Sequence, residues 1–506
     1  MSLKSFGAKI FAQIVVKKID KWAEKPVETQ QRVFEELISE AGETAFGKDH
    51  RFDEIHHFED FAKRVPVRDY EELRPYVDRV VEGEEDVLWP GRPLYFAKTS
   101  GTTSGAKYIP ITKESMPTHI EGARNAILNY IAETGETDFV DGKMIFLQGS
   151  PVMGKTNGID TGRLSGIVAH YVPAYLQKNR LPSWETNCIE DWEEKLDSII
   201  AETLPENMTV ISGIPSWVQM YFEHLKEKTG KPVGEIFPNF ELFIYGGVNY
   251  EPYRKRFKEL IGKDIASIEL FPASEGFFAF QDRQNEPGML LRLDAGIFYE
   301  FIRADEFFEE NPRRLTIGEV ETGVNYVMII STTAGLWAYN LGDTIQFTST
   351  YPHRVIVSGR LKHFISAFGE HVIGKEVETA MKNVLNEMKA VVNEFTVAPE
   401  ADPEEGLPYH EWFIEFDKEP EDLDLFAAKL DAYLCEQNSY YDDLIQGNIL
   451  RTLKISKVPA NGFKTYMRSI GKLGGQNKLP RLANDRKIAN QLEKIIIDEK
   501  ESKNTR

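Results

Sequence analysis

The sequence predicts a layered α/β body followed by a smaller α+β domain, and three observations carry that expectation. Short apolar runs of strand type alternate with helical runs from Lys143 to about Phe347. Several of the strand-type runs end in glycine-bearing segments, as at Tyr245-Gly246-Gly247 and Ser274-Glu275-Gly276, and chains of this class bind ligands where loops leave strand ends. The chain has 506 residues and 42% hydrophobic content, enough for at least two domains with buried cores.

Charge and cysteine content narrow the classes of function. The 60 basic and 80 acidic residues leave a formal charge of -20, which argues against an extended nucleic-acid grip while allowing local basic sites. Two cysteines, Cys188 and Cys435, give no disulfide framework, so a reducing, cytoplasmic setting is expected. No run reaches the length needed to cross a bilayer, and integral membrane association is not expected. Nothing in the sequence sets an oligomeric state.

The chain begins with helical text. Phe6, Ile10, Phe11, Ile14 and Val15 form an apolar stripe with lysines nearby. Packing against the body is the expected use of that stripe, ahead of a peripheral membrane contact, because helical text continues through Glu40. Residues 20–90 read as mainly helical, punctuated at Pro66 and Pro75.

The segment Tyr95 to Pro110 organises the chain. An aromatic run enters Thr99-Ser100-Gly101-Thr102-Thr103-Ser104-Gly105-Ala106-Lys107, and a short apolar run leaves it, so two strands joined by a polar loop are predicted. Glycines bring backbone amides close to a ligand, and hydroxyls with the Lys107 ammonium add donors for phosphate oxygens. The spacing is not that of a Walker A loop, because Gly101 and Gly105 are four apart and Tyr108 follows the lysine. Composition alone fits a solvated hydroxyl-rich loop equally well.

Further along, Lys143 to Leu147 reads as a strand opening into Gln148-Gly149-Ser150-Pro151, and Leu164 to His170 as a helix. Phe240 to Tyr245 enters Gly246-Gly247, and Ile265 to Leu270 enters Phe271-Pro272-Ala273-Ser274-Glu275-Gly276. Gly246 and Gly247 can expose backbone beside a planar ligand, Phe271 can offer an aromatic face, and the Glu275 carboxylate is a hard ligand suited to Mg²⁺ on nucleotide phosphates. A solvated strand-end glutamate is an equal alternative for Glu275 by itself. A strand pair is predicted at Gly318-Glu319-Val320 and Tyr326 to Ile330, with Asp343 in a turn after Gly342 where it could accept bonds from ribose hydroxyls. A bare Gly-Asp turn is the plainer account of that dipeptide.

Taken together, the hydroxyl-rich loop, the Phe271 to Gly276 segment and Ala334-Gly335-Leu336-Trp337-Ala338-Tyr339-Asn340-Leu341-Gly342-Asp343 resemble the GH3 family of acyl acid amido synthetases, within the adenylate-forming superfamily. Phe271 stands where the family usually has tyrosine, and Asn340 where plant members commonly have arginine. The resemblance continues through Ser358-Gly359-Arg360-Leu361-Lys362-His363, which is similar to the family's connector, and through Gly471-Lys472 to Lys478-Leu479-Pro480-Arg481, which is similar to its C-terminal signature.

The resemblance implies a large multilayered adenylate-forming N-terminal domain over residues 1–357, a hinge with a turn at Gly359 over 358–363, and a mobile α+β C-terminal cap over 364–506. It implies ATP and Mg²⁺ as cofactors, with a small carboxylic acid and an amino acid as substrates. It also implies phosphate contacts from Ser100, Gly101, Thr102, Thr103, Ser104 and Lys107. The remaining nucleotide contacts it implies are Gly246, Gly247, Phe271, Ala273, Ser274, Asp343 and Arg360, with Glu275 on the metal. Lys478, and after it Lys472, is implied as an ammonium that joins the phosphates in one half-reaction. A carboxylate-CoA ligase and a noncatalytic nucleotide-responsive binding protein remain as alternatives.

Overall fold

The computed structural model describes residues 2–504 except 100–106, 172–178, 190, 248–249, 362–363, 366–371, 402, 404, 447–448, 474–478 and 484. The chain divides into two compact units, Met1–Val248 with Lys258–Ile356, and Asn249–Phe257 with Val357–Arg506.

The first unit opens with helices. In Pro26–Ala41 the buried positions Val33, Phe34, Leu37, Ile38 and Ala41 recur at helical spacing and face the body. Helix Tyr70–Val81 contains Pro75 instead of stopping at it. Its start is held by Asp69, which accepts the Glu71 and Glu72 amides while Glu72 returns a bond to the Asp69 amide. Buried Leu73, Val77 and Val80 secure the turns around the proline.

Beyond the helices lie two sheets. The smaller has the order β2-β1-β5-β4, from β1 (Tyr95–Thr99), β2 (Lys107–Ile111), β4 (Gly154–Thr156) and β5 (Ile159–Gly162). β1 and β2 are antiparallel with Thr99 opposite Lys107, so the predicted strand pair stands.

The larger sheet has eleven strands. Its first part is β3 (Lys143–Phe146), β6 (Arg180–Leu181), β7 (Met208–Ser212), β8 (Leu242–Gly246) and β9 (Ala266–Ala273). The rest is β10 (Gly276–Phe280), β11 (Met289–Leu291), β12 (Ile297–Arg303), β13 (Asn325–Thr332), β14 (Tyr339–Thr350) and β15 (His353–Arg360). The strand order is β12-β13-β14-β15-β11-β10-β9-β8-β7-β3-β6. β3, β7, β8 and β9 pair in parallel, and the near-continuous burial of β7 and β8 matches strands covered on both faces. Parallel pairing lines up their C-terminal ends along one edge, so the segments after Phe146, Ser212, Gly246 and Ala273 are neighbours.

Two expectations change here. Gly318-Glu319-Val320 is a turn, not a strand; a three-residue segment with an exposed Gly-Glu pair has too little apolar face to join the sheet. Ser358 to Arg360 continues β15 where a turn at Gly359 was expected.

The second unit has its own cores. β18 (Val391–Glu400), β19 (Tyr409–Lys418) and β20 (Lys454–Val458) form a three-stranded sheet in that order, after a short pair β16 (Phe364–Ile365) and β17 (Val372–Ile373). Alternation sends Phe395, Val397, Trp412 and Ile414 into one core and Ala398 and Phe413 into another. Helices Gly374–Glu387 and Leu423–Gln437 cover the first core, and helices Gly462–Ser469 and Lys487–Asn504 the second.

Candidate active site

Tyr339 is the point on which the separate motifs converge. It heads β14, is 1% exposed, and is bracketed by the segment before helix Tyr70–Val81. The Arg68 amide donates to the Ala338 carbonyl at 3.1 Å and the Asn340 amide donates to the Arg68 carbonyl at 2.7 Å. Burial holds the Tyr339 phenol well above its usual pKa, and the charges of Glu275, Asp69 and Asp343 push it further, with Tyr70 adding to them. Glu275 and Asp343, far apart in sequence, therefore act on one phenol.

The glycine-rich segment's flank reaches Tyr70, one of the groups acting on that phenol. Lys107 places its ammonium 5.3 Å from the centre of the Tyr70 ring. The Tyr70 hydroxyl accepts the Tyr108 amide at 2.9 Å, and burial raises the Tyr70 pKa. Ser100, Gly101, Thr102, Thr103 and Ser104 lie outside the described residues, and their described neighbours Thr99 and Lys107 pair with each other.

Glu275 sits with Ser274 at the tip of a tight hairpin, because Ala273 at the end of β9 pairs directly with Gly276 at the start of β10. Phe271 is buried with its ring 5.1 Å from Phe278 in a T-shaped contact, so it also anchors this hairpin in the core. Gly246 ends β8 opposite Leu270. A Cβ there would stand 2.6 Å from the Leu270 carbonyl oxygen, so the glycine is demanded by the approach of β9. Gly247 follows with φ of +80°, a conformation that favours glycine.

Asp343 is not in a turn. It lies within β14, where pairing passes from Val327 opposite Thr344 to Ile329 opposite Asn340, leaving extra residues on the β14 side. Gly342 takes a φ of +83° in this bulge, and the Asn340 side-chain oxygen accepts its amide at 2.9 Å. The residue that departs from the plant arginine thus shapes the backbone next to Asp343, which is 5% exposed.

Sequence reasoning missed Tyr70, Asp69 and Tyr339 as parts of the site, and it missed a buried lysine on the neighbouring edge. Lys195 is 3% exposed and donates to the carbonyls of Gln148 at 3.2 Å and Asn187 at 2.7 Å; burial pulls its pKa down to about 8. Arg180 holds the other side of the same glutamine, donating to the Gln148 side-chain oxygen at 2.7 Å. The signal was present, since Lys195 falls among Trp192, Leu196 and Ile199 on the apolar face of its helix.

Other candidates take plainer roles. His170 meets the Pro151 carbonyl at 3.3 Å and packs edge-on against Trp184. Cys188 and Cys435 are half-buried, and burial pushes the Cys435 thiol up to about 12, so it is not a thiolate at neutral pH. Lys472 is exposed just after helix Gly462–Ser469, and its amide donates to the Met467 carbonyl at 2.8 Å. Lys478 and the side chain of Arg360 lie outside the described residues.

The GH3 family N-terminal domain matches residues 15–187, the GH3 family central domain residues 290–358, and the GH3 family C-terminal domain residues 375–487. The chain belongs to the GH3 family. A jasmonoyl-L-amino acid synthetase of Nicotiana attenuata is 22% identical over 456 residues, covering 74% of this chain and 77% of that protein. A solved GH3 acyl acid amido synthetase in complex with 2,4-DB superposes with a TM-score of 0.79 at 16% identity, over 96% of each chain. A 2-hydroxyisobutyryl-CoA ligase in its postadenylation state superposes with a TM-score of 0.55 at 13% identity, over 96% of this chain and 91% of that one. This GH3 protein is an ATP-dependent, acyl-adenylate-forming amido synthetase, a ligase built of a large α/β and a smaller α+β unit.

Proposed function

We propose that this protein activates a small carboxylic acid with ATP and passes the acyl group to an amino acid. The observation that carries this is the convergence of Lys107, Glu275 and Asp343, through Tyr70 and Tyr339, on one place in the first unit. In the first half-reaction a carboxylate oxygen bonds to the α-phosphorus of ATP, the bond to the bridging oxygen breaks, and pyrophosphate leaves. In the second, the neutral amine nitrogen attacks the acyl carbon, the bond to AMP breaks, and the amine proton is lost to solvent or phosphate.

Each candidate residue has a task in this scheme. Ser100, Gly101, Thr102, Thr103, Ser104 and Lys107 stabilise charge on the phosphate oxygens. Gly246, Gly247, Phe271, Ala273 and Ser274 border the nucleoside, and Asp343 accepts from ribose hydroxyls. Arg360 reaches a ribose or phosphate oxygen, while Lys478, or in second place Lys472, supplies an ammonium in one half-reaction. Among the described residues no group of three or more His, Cys, Asp or Glu is placed to hold a metal ion. A single carboxylate such as Glu275 fits Mg²⁺ that takes its other ligands from nucleotide phosphates and water, and when bound that ion neutralises phosphate charge.

The test supplies ATP, Mg²⁺ and a panel of labelled carboxylates, with an amino-acid pool in one arm and CoA in another, and resolves the products by mass spectrometry. The expected result is an amide and AMP in the amino-acid arm. A thioester with no amide would establish the CoA ligase instead, and nucleotide binding with no carboxylate-dependent pyrophosphate release would establish a noncatalytic binding protein.

A further inference from the structure

The helix Leu3–Ala23 has two apolar faces, and the fold uses one. Ser5, Ala12, Val15, Ile19 and Trp22 are buried, on the side that packs against helix Met116–Thr134. Of the stripe expected from the sequence only Val15 is among them. Phe6, Ile10 and Ile14 are 56%, 50% and 49% exposed, and Leu3, one turn earlier, is 92% exposed. These four recur at spacings of three and four residues and so lie along one line of the outer face.

The polar residues of this helix have a sign. It carries Lys4, Lys9, Lys17, Lys18 and Lys21 against the single acid Asp20, in a chain whose formal charge is -20. Helical spacing continues the line from Ile10 and Ile14 into Lys17 and Lys21, with Lys18 beside them. Arg124, on the neighbouring helix, lies 6.0 Å from the ring of Phe11, which is itself 46% exposed. Gly7, on the outer face, has nothing within 4 Å of where a Cβ would stand, so packing inside the fold does not demand a glycine there. The acid near the start of the helix, Asp141, is engaged with Ser2 and Ser5.

We propose that this face docks the protein peripherally on an anionic phospholipid bilayer, the helix lying in the plane of the interface. Leu3, Phe6, Ile10 and Ile14 enter the boundary between headgroups and acyl chains, and Lys17, Lys18 and Lys21 meet lipid phosphates. The attachment is interfacial, since no described helix is long and apolar enough to cross a membrane. Charge selects lipid over a second copy of the same face, because self-pairing would set Lys17, Lys18 and Lys21 against the same three lysines of the copy. Docking of this face does not depend on the amide chemistry.

The full chain is sedimented with vesicles of phosphatidylcholine alone and of phosphatidylcholine mixed with phosphatidylserine, at low and high salt. Binding to the anionic vesicles is expected, weakened by salt and by removal of phosphatidylserine. The variants Phe6→Ser/Ile10→Ser/Ile14→Ser and Lys17→Gln/Lys18→Gln/Lys21→Gln should each lose about tenfold or more in vesicle affinity, with melts and amide synthesis in solution unchanged. If the serine variant fails to fold, the glutamine variant decides alone. The proposal is overturned by no binding to anionic vesicles, by equal binding to both lipids, or by binding that survives the variants. It is equally overturned if sedimentation velocity shows a dimer that the serine substitutions dissolve while vesicles are not bound.

Discussion

The side-chain oxygen of Asn340 accepts the Gly342 amide at 2.9 Å, and this one bond braces the bulge from which Asp343 follows. Replacing Asn340 with leucine removes the acceptor and leaves the Gly342 amide to find another partner. We expect a loss of about 1 kcal/mol in stability and a several-fold weaker affinity for a nonhydrolysable ATP analogue. Asn340→Asp keeps the acceptor oxygen and should bind closer to the parent protein. Calorimetric titration and a thermal melt measure both, and wild-type affinity in the leucine variant would separate the bulge from nucleotide binding.

Glu275 at the β9–β10 tip gives a second prediction. Glu275→Gln keeps size and removes charge, so pyrophosphate release should need more Mg²⁺ and turn over more slowly while the melt shifts little. An unchanged Mg²⁺ titration would reject a role on the metal.

The sequence disclosed the β1–β2 strand pair, the alternation of strands and helices and the α+β unit because each is written in local periodicity and glycine placement, whereas the parallel pairing of β3, β7, β8 and β9 came from the fold. The setting of Asp343 was not legible, since Gly342 at positive φ satisfies a turn and a strand bulge alike, and the choice depends on how β13 pairs with β14. Tyr339 and Tyr70 were invisible for a different reason: their meeting requires the Arg68 segment to lie beside β14, a contact across some 270 residues of chain. The first helix shows the limit of periodicity, for it offers two apolar faces and only the fold tells which one packs.

Two buried imidazoles predict a pH response. Burial pulls His119 and His353 each down to about 4, against 6.5 for the free side chain. Between those values the unfolded chain takes up protons that the folded chain refuses, so their contribution to stability is full above about pH 6.5 and falls as pH drops toward about 4. Urea denaturation at about pH 7 and about pH 5 should show a smaller loss on acidification in His119→Gln/His353→Gln than in the parent. An equal loss in both proteins would assign the acid sensitivity elsewhere.

Arg354 donates to both oxygens of Asp282, at 2.9 and 2.8 Å, with each side chain 8% exposed. Arg354→Met leaves a buried carboxylate without its cation and should cost about 3–5 kcal/mol, whereas Arg354→Met/Asp282→Leu should recover much of that. Chemical denaturation of the three proteins measures it. A single variant as stable as the double would show that the pair is not what holds β15 to the segment after β10.

Lys107, Glu275 and Asp343 are proposed to serve one nucleotide site gathered around Tyr339. Carboxylate-dependent exchange of labelled pyrophosphate into ATP reads the first half-reaction without the acceptor amine. Lys107→Met, Glu275→Gln and Asp343→Asn are each expected to lower that exchange by about a hundredfold while the melts stay near the parent value. Wild-type exchange in all three folded variants would contradict the site.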